Sequence, residues 1–306
     1  MGASATSASL PRRSCLSVPA SSERKLAKAT AVPADEVVID LEDAVAASSK
    51  HSARSAAVEA LERLDWTGTT VSVRVNAPGT PWCHLDIVAL AALPELPVSI
   101  VVPKVQCAGD LAFVDRLLAG LEAAAPRRTP MRTQALIEDA PGLARVQEIA
   151  ACSERLDALI IGYADLAASL GRSAAAALDP RSWDPAREAV LLAARANGLQ
   201  AIDGPYLGVG PDDSFRESAM RARELGLDGK WAIHPSQVPP LAEIFSPTEQ
   251  ELTRARAVIA ALESAERNAG EGAVALDGEM LDAAVALSAR RVIARSGAAP
   301  TAGDGV

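Results

Sequence analysis

Val37-Val-Ile-Asp-Leu-Glu-Asp-Ala-Val45 opens as an apolar run long enough for one buried strand and closes on Asp40, Glu42 and Asp43. Three carboxylates within four residues, directly after a buried strand, repel one another. Such a cluster is usually tolerated where solvent, a cation or Arg/Lys groups offset the charge. The bland alternative is a solvated strand end. The rest of the chain decides between them by whether it brings compensating partners to the same place.

Working outward, β-rich runs recur at residues 14–18, 37–41, 70–75, 98–102, 133–137, 158–161, 200–202 and 230–233. Between them lie Ala/Leu/Arg/Glu stretches with helical spacing, among them 22–30, 52–64, 108–124, 184–197 and 213–225. Eight strands alternating with helices predict an α/β fold, a (β/α)8 TIM barrel. A doubly wound open sheet is the runner-up, but no Gly-rich fingerprint follows the first strand. The expected organisation is a disordered leader over residues 1–12, the barrel over 13–246, a C-terminal extension over 247–296 and a disordered tail over 297–306. The extension, a long charged helix followed by a strand-turn-helix, is too short for an independent domain and reads as an appendage on a barrel.

The unusual polar residues gather at the C-terminal ends of these strands. Arg74 with Asn76 ends the third, Pro103 with Lys104 the fourth, Glu138 the fifth, and Gly162 with Asp165 the sixth. Asp203 with Gly204 ends the seventh, and His234 with Gln237 the eighth. In a (β/α)8 barrel these ends converge on the face that builds active sites. The acidic stretch thereby acquires its partners.

Composition narrows the chemistry. The 306 residues carry a net charge of −9, with 49% hydrophobic residues and only 3% aromatics. Nucleic acid is excluded as a main partner by the charge, and stacking platforms by the scarcity of rings. A small anionic substrate needs a local basic cluster or a metal. Cys15, Cys83, Cys107 and Cys152 are far apart with no CxxC pair, which gives neither a zinc site nor a disulfide framework. No secretory h-region and no membrane span are expected, so the chain reads as soluble and cytoplasmic.

Glu138 and Asp165 offer oxygen-only ligands at consecutive strand ends, a set that suits Mg²⁺, with Mn²⁺ as the alternative; helix caps or ion pairs are the structural readings. Arg74 ends a buried strand facing carboxylates, which suits a substrate carboxylate or a developing enolate oxygen better than a plain salt bridge. Lys104 divides evenly between such a role and pairing with Glu42 or Asp43. His234 precedes a proline and reads as structural, and His51 and His84 as surface residues.

Several stretches together resemble one family: Arg13-Ser-Cys-Leu-Ser-Val-Pro19, IDLEDAV with Lys50 and Arg54 behind it, VRVN at Arg74, Pro103-Lys104, ALIED at Glu138, IGYADLAASLG at Asp165 and DGKWAIHPSQ at 228–237. Their order and spacing resemble the HpcH/HpaI aldolase and citrate lyase superfamily, in its citrate lyase β-subunit-like branch, over about residues 12 to 290. The resemblance implies a TIM barrel, assembled as a homotrimer, that binds Mg²⁺ and a CoA thioester and makes or breaks the C2–C3 bond of compounds such as malyl-CoA or citramalyl-CoA. It implies Glu138 and Asp165 as metal ligands and Arg74 as the group that holds the oxo-acid and steadies the enolate. Glu42 and Asp43, with Lys104 beside them, would order metal-bound water. The GEMLD motif matches a lid that closes over a neighbouring subunit and places Asp282 at the acid/base position. CoA phosphates would meet Arg13, Lys25 and Lys28. The chain departs from the family at Gln106, Ala164 and Asp139, where Glu, Glu and Thr are common, and at VPAS in the first loop. Rival readings are a malyl-CoA-type thioesterase, a class II aldolase of free 4-hydroxy-2-oxo acids, which would use a histidine after strand two, and a thioester-binding β subunit of a citrate-lyase-like complex.

Overall fold

The structure, a computed structural model, describes residues 11–95, 97–125, 129–173, 179–269, 273–276 and 278–296. Its centre is a closed barrel of eight parallel strands, each pairing with the next and the last returning to the first. They are β1 (Ser14–Pro19), β2 (Glu36–Asp40), β3 (Thr70–Arg74), β4 (Ser99–Val102), β5 (Arg132–Ile137), β6 (Leu156–Ile161), β7 (Gln200–Asp203) and β8 (Gly229–Ala232). Every residue of β2, β4 and β8 is buried, as expected of strands covered on both faces.

Ten α-helices among the described residues follow the strands: α1 (Glu23–Ala29), α2 (Lys50–Arg63), α3 (Cys83–Ala91), α4 (Ala108–Ala124), α5 (Ala140–Ala144), α6 (Val146–Ala150), α7 (Tyr163–Ser169), α8 (Asp184–Ala196), α9 (Asp213–Leu225) and α10 (Val238–Phe245). None among the described residues is long and apolar enough to cross a membrane. His51 on α2 and His84 on α3 are exposed.

The two-residue period of a strand sends alternate side chains into the barrel, and the inward set forms three layers. The floor is polar: Gln134 Nε2 donates to Glu36 Oε1 at 2.7 Å and to Ser99 Oγ at 2.8 Å, and Ser72 Oγ bonds Glu36 and Ser99. Two residues further along, Val38, Val101 and Leu136 join Ile160, Ile202 and Trp231 in a buried apolar layer. Two residues beyond Val38 and Leu136 stand Asp40 and Glu138, at the mouth, joined there by Arg74, two residues beyond Ser72.

Arg12 corrects the expected leader. It is 2% exposed and closes the floor, with Nε 3.1 Å from Glu36 Oε2 and Nη2 3.0 Å from Asp157 Oδ2. Gly229 makes this approach possible, since a Cβ there would lie 1.7 Å from the Arg12 carbonyl oxygen. Residues 1–10 of the expected leader and 297–306, the expected tail, lie outside the described residues.

The chain divides into two compact units, Met1–Glu243 and Ile244–Val306. The second contains α11 (Glu249–Ala269), β9 (Val274–Leu276), β10 (Glu279–Leu281) and α12 (Ala283–Arg295) around Ala255, Val258, Leu281 and Ala289. Where one strand was expected there is a hairpin, because Gly278 at φ 83° lets the chain reverse between β9 and β10.

One cap is directly testable. Asp139 accepts the Gly142 N–H at 2.7 Å and so starts α5. Asp139→Ala is expected to lower stability by about 1 kcal/mol, a fall in Tm of about 2 °C measurable by calorimetry.

Candidate active site

The mouth is built by the loops that leave β2 to β6, and each is held by a specific polar contact. Asp40, the last residue of β2, accepts the N–H groups of Glu42 at 2.8 Å and Ala44 at 3.2 Å, which folds the acidic stretch back over the strand end. Lys50 Nζ donates to the carbonyls of Leu41 and Glu42 at 2.8 and 2.7 Å and fixes the same loop from below. After β3, Asp86 accepts Asn76 N–H and Nδ2 at 3.0 and 2.7 Å and is itself held by Arg54 Nε at 2.6 Å. Lys50 and Arg54 are thus loop anchors rather than groups of the mouth.

Arg74 lies across the opening. Its Nε and Nη2 grip the two Asp40 oxygens at 2.7 and 2.6 Å, and Nη1 is 3.1 Å from Glu42 Oε2. The guanidinium centre stands 5.6 Å from the Trp231 ring below it. A guanidinium has five N–H groups, so donors remain for a substrate after these three contacts. Burial opposes the Arg74 charge, but Asp40 and Glu42 outweigh it and raise its pKa. Burial likewise works against the Asp40 carboxylate, and the Arg74 fork still holds it below the usual range.

Lys104 links the remaining carboxylates. It is the sole described non-glycine residue in left-handed backbone geometry, at φ 53°, a conformation that costs energy and concentrates at functional sites. The turn aims its N–H at Glu138 Oε1, 2.8 Å away. Its Nζ lies 2.5 Å from Glu42 Oε1, 3.0 Å from Asp165 Oδ2 and 3.5 Å from Asp43 Oδ2. The pairing of Lys104 with Glu42 and Asp43, one of two sequence readings, is therefore present, and the lysine also bridges to Asp165.

Glu138 directly follows β5 and is 4% exposed. Gly162, which directly follows β6, seats it: a Cβ at 162 would lie 2.5 Å from Glu138 Cβ and 2.7 Å from its Oε2. Burial pushes the Glu138 carboxyl up to about 8, helped by the charge of Glu42 and opposed by Lys104 and Arg74. Burial moves Glu42 upward as well, against Arg74 and Lys104. Asp165, on the first turn of α7, has a buried Oδ2 with no hydrogen bond despite its ion pair with Lys104.

These features fit a divalent cation. Of five carboxylates at the mouth, Asp40, Glu42, Asp43 and Asp165 share two cations among the described residues, Arg74 and Lys104, and Glu138 takes the Lys104 N–H. Among the described residues no three His, Cys, Asp or Glu side chains converge as a ligand cage. Two carboxylates with water and substrate completing the shell is the arrangement favoured by Mg²⁺, which keeps much of its hydration; the incomplete cage argues against zinc rather than against a metal.

Other sequence expectations divide. Lys25 and Lys28 are exposed on α1, which leaves the C-terminal end of β1. Arg13 is a correction: it precedes β1, at the opposite face, and its guanidinium is clamped to Asp35 through Nε at 2.8 Å and Nη2 at 2.8 Å. Asp203 ends β7 but points outward, away from inward-facing Ile202, to Arg187 and Lys230. His234 caps a single helical turn, its Nδ1 accepting the Ser236 N–H at 3.2 Å. Asp282, in the second unit, caps α12 through Oδ1 with the Ala284 and Val285 N–H groups at 2.9 and 3.1 Å. Gln106 and Asp139 bond each other at 2.6 Å, so a glutamate at 106 would set two carboxylates together.

Comparison with known proteins gives consistent results. A sequence profile described as HpcH/HpaI aldolase/citrate lyase matches residues 13–235. The L-malyl-CoA/beta-methylmalyl-CoA lyase of Cereibacter sphaeroides is 38% identical over 292 residues, 90% of this chain and 91% of that one. The (3S)-malyl-CoA thioesterase of Cereibacter sphaeroides is 36% identical over 286 residues, 94% of this chain and 95% of that one. Among solved structures, the protein CitE from Mycobacterium tuberculosis in complex with magnesium, acetoacetate and coenzyme A matches at a TM-score of 0.72 and 32% identity. That match covers 95% of this chain and 100% of the other.

Proposed function

The chain belongs to the HpcH/HpaI aldolase/citrate lyase family, and from that premise we propose that it is a magnesium-dependent carbon–carbon lyase acting on 3-hydroxy-3-carboxyacyl-CoA thioesters. Malyl-CoA-type compounds are the proposed substrates, cleaved to an acyl-CoA and a 2-oxo acid or formed from them. The observation that carries this reading is the pair Glu138 and Asp165, one buried with its acidity suppressed and the other 3.0 Å from Lys104 Nζ, at one barrel mouth with Arg74. The likeness to the lyase over 90% of the chain supports the substrate class, and the magnesium and coenzyme A of the CitE complex support the metal and the thioester.

In the proposed mechanism Glu138 and Asp165 hold the cation. When bound, that ion supplies Lewis-acid stabilisation of charge on the substrate hydroxyl and carboxylate. Arg74, held rigid by Asp40, directs its remaining N–H groups to the oxygens on which negative charge grows as the C2–C3 bond breaks. Lys104 and Glu42 keep the acidic side of the mouth fixed, and Asp43 orders water at its exposed edge. Asp282 exchanges the proton at C2 of the acyl-CoA enolate, a role supported by its place in the GEMLD motif. Lys25 and Lys28 are the proposed contacts of the CoA phosphates; Arg13, clamped to Asp35, is not among them. The proposed assembly is a cytoplasmic homotrimer of barrels over residues 13–246, each with a lid over 247–296 serving a neighbour. The four free cysteines suit a reducing compartment.

Removal of divalent ions with EDTA is expected to abolish turnover of malyl-CoA, and Mg²⁺ to restore it. Full turnover in excess chelator would refute the mechanism. The likeness to a thioesterase keeps one alternative open, hydrolysis at the same site.

A further inference from the structure

We propose that Tyr163, Arg187, Asp203 and Lys230 form one positioning unit that fixes the start of α7 and, through it, the placement of Asp165 relative to Glu138. The inference rests on the reading of these two carboxylates as metal ligands.

The four groups come from α7, α8, β7 and β8 and meet behind the barrel wall. Asp203 and Lys230 are completely buried, Arg187 is 1% exposed and Tyr163 8%. The Tyr163 hydroxyl donates to Asp203 and accepts Arg187 Nε at 2.8 Å, so it is fixed in both directions. Arg187 Nε and Nη2 reach the two Asp203 oxygens at 3.1 and 3.3 Å. Lys230 Nζ donates to Asp203 Oδ2 at 2.5 Å and to the Gly204 carbonyl at 2.7 Å. The Tyr163 ring packs against Trp183 with centroids 4.7 Å apart.

Two buried cations around one buried carboxylate, with Asp184 3.4 Å from Arg187 at the edge, are a poor route to stability, since apolar residues of the same volume serve as well or better. A role in fixing geometry accounts for them. What they fix is the segment 162–165: Gly162 makes room for Glu138, Tyr163 is the anchored residue, and Asp165 follows two positions later on the first turn of α7. A rotation of that turn would move Asp165 away from Glu138. Tyr163 touches neither substrate nor metal in this account and acts only through the backbone it holds.

The test is direct titration of the full-length protein with Mn²⁺, following free Mn²⁺ by electron paramagnetic resonance. Tyr163→Phe, which removes one hydroxyl, is expected to weaken Mn²⁺ binding about 10-fold, the low end for groups that orient metal ligands. At saturating metal kcat should stay near that of the parent, so the effect appears in the metal constant. Arg195→Met is the control: it breaks another bidentate pair on α8, to Asp228, which holds the Ala201 N–H of β7 and not Tyr163, and should leave the metal constant unchanged. Equal binding by parent and Tyr163→Phe, or equal weakening by Arg195→Met, would overturn the inference. Should Tyr163→Phe not fold, Ser218→Ala, which removes a partner of both Lys230 and Arg187, takes its place with a weakening expected and parent-like binding refuting it. A parent that binds no Mn²⁺ refutes the metal assignment and this inference together.

Discussion

Glu138→Gln is expected to lower kcat/KM for the magnesium-dependent reaction on the order of 10³-fold, the factor that several kcal/mol of lost charge stabilisation corresponds to. The substitution is isosteric, and its amide oxygen can still accept the Lys104 N–H that Glu138 now takes at 2.8 Å. What disappears is one of the two proposed carboxylate ligands. Stability should move the other way. Burial raises the Glu138 carboxyl from its ordinary 4.5 to about 8, so the folded state binds more protons than the unfolded state between those values. The parent therefore loses stability as pH rises from about 4.5 to about 8. In chelator, the neutral glutamine avoids this loss, so Glu138→Gln should gain in Tm relative to the parent as pH rises through that window. A variant both inactive and strongly destabilised at pH 7 in chelator would contradict this account and point to a structural role.

The second large effect belongs to Arg74. Arg74→Met leaves Asp40 buried without its two charge-assisted bonds, and breaking a buried pair in this way costs about 3–5 kcal/mol. It also removes the donors proposed for the developing oxyanion, worth about 10²–10³-fold in kcat. Pairing Arg74→Met with Asp40→Asn separates the two losses. The amide oxygen can still accept the Glu42 N–H, which Asp40 Oδ1 takes at 2.8 Å, and no uncompensated charge is left, so urea unfolding should recover part of the stability while kcat stays low. Recovery of kcat in the double variant would show that Arg74 acts only by holding the loop.

The barrel and most of its mouth were readable because each has a strong local signal. Buried strands appear as short β-rich runs, and Glu138, Arg74 and Lys104 stand at their ends, where parallel topology forces them onto one face. Direction was the part easily misjudged. Arg13 comes before its strand and so belongs to the opposite face, a fact available from the order of residues alone. Asp203 was misplaced by pleat: counting by two from inward Ile202 turns it outward to Lys230. Arg12 had no such signal. Its partners Glu36, Asp157 and Gln200 lie 24, 145 and 188 residues away, and only closure of the barrel brings them together. The bond between Gln106 and Asp139 is also invisible until β4 and β5 lie side by side.

The most direct test of the central claim is to incubate the purified protein with malyl-CoA and Mg²⁺ and resolve the products by mass. Acetyl-CoA and glyoxylate are expected in equal amounts, with neither formed by Glu138→Gln at a comparable rate. Free CoA and malate, with no acetyl-CoA, would contradict it and establish hydrolysis of the thioester instead.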